Sequence, residues 1–144
     1  MSRCGSASLA LKTYNTGSNT ILWPAWWAGE ATQTVNVPAG SNGASLDMWV
    51  YLPPYSYQHE SVFGVLAAAR SNGYVYTVIG QYSNATVTPG IWRHLGPIDV
   101  SAFQGGPLYL MFEGGTPIDG NTPIYVDDIS LRTGLQLQTL SSAC

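Results

Sequence analysis

Apolar and polar residues alternate with a period of two along most of this chain, and turn formers break the alternation roughly every eight to twelve residues, the spacing of short strands. No stretch sustains the 3.6-residue period of an amphipathic helix. The first predicted strand spans residues 6–14, where Ala7, Leu9 and Leu11 alternate with Ser8, Ala10 and Lys12. A second covers 32–37, with Val35 and Val37 on one side and Thr34 and Asn36 on the other, until Pro38-Ala39-Gly40 stops it. In the third, 44–52, Leu46, Met48, Val50 and Leu52 share one side while Asp47, Trp49 and Tyr51 share the other. The pair Pro53-Pro54 ends it, because neither proline offers a backbone donor to a ladder.

The apolar run 62–69 leads through Ser71-Asn72-Gly73, a hairpin signal, into 74–81. Further strands are expected at 92–95, 108–113 and 124–131, and the alternation Leu135-Gln136-Leu137-Gln138-Thr139-Leu140 predicts a ninth within the tail 132–144. Eight or nine short, evenly spaced strands imply an all-β, two-sheet antiparallel sandwich or a barrel. The 144 residues carry no internal repeat and no low-complexity stretch, so one domain, 1–144, is expected.

Charge narrows the field of partners. Only 9% of residues are charged, against about 25% in an average soluble domain, while 45% are apolar. That balance is the opposite of a disordered chain. A net charge of −3 and five Lys and Arg in all leave no basic stripe for a phosphate backbone or an anionic lipid surface, so neither nucleic acid nor membrane insertion is expected. No apolar run reaches the length of a membrane span, and Met1-Ser2-Arg3-Cys4 opens without an apolar signal region. Three settings fit: a domain of a longer secreted protein, export by an unmarked route, or assembly in the cytoplasm, virion proteins included. The two cysteines, Cys4 and Cys144, sit near the ends. A bridge between them would be worth about 4–5 kcal/mol in the chain-entropy model and is the favoured arrangement, two thiols being the alternative.

The C-terminal third carries a familiar pattern. Ile91-Trp92-Arg93, Pro97-Ile98-Asp99-Val100-Ser101-Ala102-Phe103, Leu108-Tyr109-Leu110-Met111-Phe112-Glu113 and Ile124-Tyr125-Val126-Asp127-Asp128-Ile129-Ser130-Leu131 follow one another in order. Together they resemble the jelly-roll, galactose-binding-like carbohydrate-binding modules of bacterial secreted proteins and, more distantly, MAM-like adhesion domains. Gly5–Leu11, Val35–Ala39 and Leu46–Leu52 fit the same pattern, so the resemblance runs from about Gly5 to Leu131. It implies a jelly roll, an extracellular or cell-surface setting, a glycan partner, and a structural calcium beside Asp127 and Asp128. The chain lacks the acidic opening strand of that family. The tail 135–140 folding back, or a strand from a neighbouring copy, would replace it, and the second option makes a homo-oligomer.

Adjacent carboxylates on a strand point to opposite faces, so only one of Asp127 and Asp128 would ligate calcium directly and a second ligand must come from elsewhere; the alternative to a bound calcium is a capping or hydrogen-bonding role. Trp23, Trp26 and Trp27, in a proline-containing stretch between the first two expected strands, suit a stacking platform for sugar rings, an anchor on another subunit, or burial. Tyr55, Tyr57 and Tyr82, with Tyr51, extend the same surface; Trp49 and Trp92 are assigned to packing. His59 and His94 are isolated, Glu30, Glu60 and Glu113 form no sequence-near pair, and no nucleophile elbow or metal-protease motif occurs, so catalysis is not expected. Asn84-Ala85-Thr86 matches a glycosylation acceptor. The expected function is surface recognition of carbohydrate or adhesion. The alternative is a structural subunit, such as a virion decoration protein or extracellular filament.

Overall fold

A computed structural model describes residues 9–11, 14–15, 27–40, 43–53, 61–69, 75–116, 124–133 and 136–139. In chain order the strands are β1 (Leu9–Leu11), β2 (Tyr14–Asn15), β3 (Trp27–Val37), β4 (Ser45–Tyr51), β5 (Val62–Ala69), β6 (Thr77–Ser83), β7 (Trp92–Asp99), β8 (Gly106–Thr116), β9 (Ile124–Thr133) and β10 (Gln136–Thr139). Among the described residues, a 3-10 turn, Ser101–Phe103, separates β7 from β8.

All pairings are antiparallel. Sheet A runs β1-β9-β4-β7, and β10 lies along the same edge of β9 as β1, end to end with it. Sheet B runs β2-β3-β8-β5-β6. With β2 and β10 set aside, the eight remaining strands interleave between two four-stranded sheets as a jelly roll does. The two-sheet sandwich expected from the alternation is therefore present.

The core lies between the sheets, and the period-two pattern decides who enters it. Along β4 the burial alternates without a break: Leu46, Met48 and Val50 are enclosed, and Ser45, Asp47, Trp49 and Tyr51 look outward. Each enclosed aliphatic side chain contributes about 1.5–3 kcal/mol relative to an exposed one. Leu108, Leu110 and Phe112 of β8 and Val35 and Val37 of β3 face them from sheet B. Strand β5 is buried on both faces, which is why its sequence is an unbroken apolar run.

Several element boundaries differ from the sequence expectation, three of them with a clear reason in the sheet pairing. The strand expected at 6–14 is split into β1 and β2, the chain crossing from sheet A to sheet B between them. The second expected strand begins five residues earlier, at Trp27, because β8 offers partners as far as Thr116. The strand expected at 92–95 runs on to Asp99, past Gly96 and Pro97, whose peptide is cis.

That last extension depends on a bulge. Leu46 pairs with Ile98 and Met48 with Leu95, so β7 carries one more residue than β4 here. The extra residue shifts parity and lets both Leu95 and Ile98 point inward. On the other flank of β4, Asp47 pairs with Ser130 and Trp49 with Asp127, so β9 also carries an extra residue. Asp128, at φ 49°, supplies it. Val126 and Ile129, three positions apart, are thereby both buried. Asp47 thus sits between two bulged neighbours.

Candidate recognition face on sheet A

Cross-strand register places the outward side chains of β9, β4 and β7 in rows. The first row is Tyr125, Tyr51 and Trp92. Its rings are 6.2 Å apart between Tyr125 and Tyr51 and 5.9 Å apart between Tyr51 and Trp92, tilted by 66° and 59°. The second row is Asp127, Trp49 and His94, with the Trp49 and His94 rings 5.5 Å apart at 54°. The third brings Ser130 beside Asp47, and the last sets Arg132 against Ser45 and Asp99. Tyr51, Trp49, Trp92 and Tyr125 are all half-buried. The rings therefore brace one another while keeping part of their surface in solvent, an apolar strip at one end of a polar face.

Polar groups next to the strip are fixed by the bulges. The Nε2 of His94 lies 2.9 Å from the Oδ1 of Asp47, and both side chains are partly exposed, at 44% and 29%. Gly96, at φ 130°, leaves room for this pair: a Cβ there would sit 2.8 Å from the Asp47 Oδ1 and 2.7 Å from the Leu46 carbonyl oxygen. Asp127 is enclosed, at 1% exposure, and its Oδ1 accepts a hydrogen bond of 2.9 Å from the Asp128 backbone N–H. At the far end of β7 the Asp99 Oδ1 accepts from the Ser101 hydroxyl at 2.6 Å and the Ser101 N–H at 2.9 Å. Those bonds to Ser101 hold the Asp99 carboxyl below its usual range.

No protein-family model and no curated protein matches the chain.

Trp49 and Trp92, assigned to packing from the sequence, belong instead to this outward face. Alternation placed Trp49 on the polar side of β4, but a strand pattern does not tell whether that side is covered. Of the residues singled out for ligand contact, Trp27 is the first residue of β3, paired with Thr116 and Asn15 and not in a loop. Tyr82 is on β6 of sheet B, half-buried against the core, with its ring beside Gly80. Burial raises its phenol pKa. It does not join the row on sheet A. Trp23, Trp26, Tyr55, Tyr57, Cys4, Cys144 and the leucines of 135–140 other than Leu137 lie outside the described residues, as does the side chain of Leu137.

For Asp127 and Asp128 the structure offers a bulge, with one carboxylate enclosed and the other half-buried. Among the described residues no three His, Cys, Asp or Glu side chains gather as a cation would require, and calcium takes six to eight oxygens. The described donors alone fall short of that set.

One further residue behaves differently from its sequence reading. Asn84, the glycosylation match, is 3% exposed. Its Nδ2 donates to the Pro53 carbonyl at 3.1 Å and its Oδ1 accepts from the Ser61 N–H at 3.0 Å. The Asn84 N–H donates to the Ser61 carbonyl at 3.2 Å. This amide joins the two flanks of the segment 54–60, and its nitrogen is closed to a glycosylating enzyme in the folded chain. Glu30 and Glu113, remote in sequence, are direct partners across β3 and β8, Glu30 exposed and Glu113 buried.

Proposed function

We propose that this chain is a non-catalytic recognition module that binds carbohydrate through the outward face of β9, β4 and β7. One observation carries the reading: three aromatic rings from three adjacent strands form a row beside hydrogen-bonding carboxylates and an imidazole. A sugar ring presents an apolar C–H face and a rim of hydroxyls. An aromatic face takes the first, and fixed acceptors and donors take the second. The resemblance to galactose-binding-like and adhesion modules supports the same reading, as does the jelly-roll strand order. Such a role fits an extracellular or cell-surface setting. No helix among the described residues is long and apolar enough to cross a membrane.

The test is retention of the purified chain in native gels cast with polysaccharides, compared with Trp49→Ala, Tyr51→Ala and Trp92→Ala. Each substitution should abolish retardation while costing about 1–3 kcal/mol of stability, the scale of one lost aromatic pair for Trp49 and Trp92, or two for Tyr51, with the ring area they cover. Unchanged retardation in all three variants would remove the face from the function.

A second reading, self-assembly as a virion or filament subunit, is favoured by a different edge. Strand β7 ends sheet A with Arg93, His94 and Pro97, devices that discourage a further strand, whereas β6 ends sheet B with no charge and no proline. Val75 and Val78 are exposed on and beside β6. Light scattering on the native protein separates the readings: a monomer at all concentrations rejects assembly.

A further inference from the structure

The tilt of the rings and the sign of the charges around them say more about the ligand. We infer that the face of sheet A takes a single, soluble, uncharged glycan strand, lying across β9, β4 and β7, and rejects both acidic glycans and flat crystalline polysaccharide. This inference rests on the recognition reading above and specifies its ligand.

Ring geometry argues first. A flat lattice of sugar rings docks on aromatic faces only when those faces are coplanar. Here successive rings are turned 66° and 59° from each other at centroid spacings of 6.2 and 5.9 Å. No two neighbours in the row can lie against one plane. A single strand, free to twist between residues, can meet tilted rings one after another. With three rings in the row, contact should build from monosaccharide to trisaccharide and then level off.

Charge argues second. The ionisable groups adjoining the row on this face among the described residues are Asp127, enclosed beside Trp49, the part-exposed Asp47 one row further, and His94, which is already paired with Asp47. The one arginine on the face, Arg132, stands in the last row, about 20 Å along β4 from Tyr51 at a strand's rise per residue. A uronate or sulfate group stacked on the row would therefore approach the part-exposed Asp47 carboxylate and the enclosed Asp127, while among the described residues the arginines of these strands are Arg93, in register with the enclosed Val50, and the distant Arg132. Like charges brought together at an interface disfavour binding strongly. Hydroxyl groups, by contrast, donate well to carboxylate oxygens.

The experiment sets the whole chain against three classes of probe. These are neutral soluble polymers (galactomannan, xyloglucan, mixed-linkage glucan), acidic soluble polymers (polygalacturonate, alginate, chondroitin sulfate) and crystalline solids (microcrystalline cellulose, crystalline chitin). The expected result is retardation by at least one neutral polymer, at least about tenfold weaker apparent affinity for every acidic one, and no partition onto the solids. Asp47→Asn should narrow the neutral-to-acidic gap. Preferential binding of an acidic polymer or of a crystalline solid, lost in Trp92→Ala, would overturn the ligand class and leave the recognition face standing. Absence of binding to all three classes would overturn the recognition reading and this inference with it.

Discussion

Replacing Asn84 by alanine tests how the end of the sandwich next to the aromatic row is held. The wild-type amide makes two side-chain hydrogen bonds with the backbone groups that flank residues 54–60, the Ser61 N–H and the Pro53 carbonyl, in a site 3% exposed. Alanine leaves both backbone groups buried. A buried donor or acceptor stranded by loss of its partner costs about 1–3 kcal/mol. One side chain supports both, so the expected loss is about 3 kcal/mol, and Tm should fall by about 10 °C for a domain of this size. Urea denaturation at neutral pH measures it directly.

Asn84→Asp sharpens the test. A carboxylate still accepts from the Ser61 N–H but turns an acceptor toward the Pro53 carbonyl, whereas the protonated acid can donate there. Burial and that contact raise the folded-state pKa of the introduced acid above its unfolded value. The variant is then closest to wild type below the unfolded carboxylate pKa of about 4 and loses stability as pH rises through and above it. A loss below about 0.5 kcal/mol in Asn84→Ala, or a pH-independent deficit in Asn84→Asp, would refute the clasp.

Gly96→Ala should destabilise severely, by about 3 kcal/mol or more, since its Cβ would press on the Leu46 carbonyl and the Asp47 carboxylate at a positive φ; soluble yield and Tm report it. Tyr82, its phenol pKa raised by burial, favours the fold only while neutral, so stability should be lost as pH rises through and above the unfolded value of about 10. Tyr82→Phe should shrink that alkaline loss, which urea titrations across the alkaline range detect.

Much of this architecture was legible because the pattern is local. The alternation along 44–52 placed Leu46, Met48 and Val50 inside and Asp47, Trp49 and Tyr51 outside, as β4 has them. The bulges leave a trace in the sequence too: apolar positions shift phase between Leu95 and Ile98 and between Val126 and Ile129. What the sequence hid is non-local. Whether Trp49 packs or faces solvent depends on what covers sheet A, and Tyr125, Tyr51 and Trp92 become neighbours only through register across three strands. Glu30 meets Glu113 for the same reason. A three-residue motif at Asn84 could not reveal that its amide would meet Pro53 and Ser61.

The arrangement along β9 has a consequence in time. Leu9 pairs with Val126, and Trp27 with Thr116, so early strands wait for partners made about a hundred residues later. A ribosome adding about 5–20 residues per second leaves β1 and β3 without those partners for several seconds or more. Sheet A cannot close until β9 arrives, and β4, its middle strand, is held on both sides only then. Folding of this chain is accordingly dominated by long-range closure, in the slow range typical of β-sandwiches. The interval before closure is when strands without charge, among them β1, β5 and β6, are most exposed to pairing with the wrong copy.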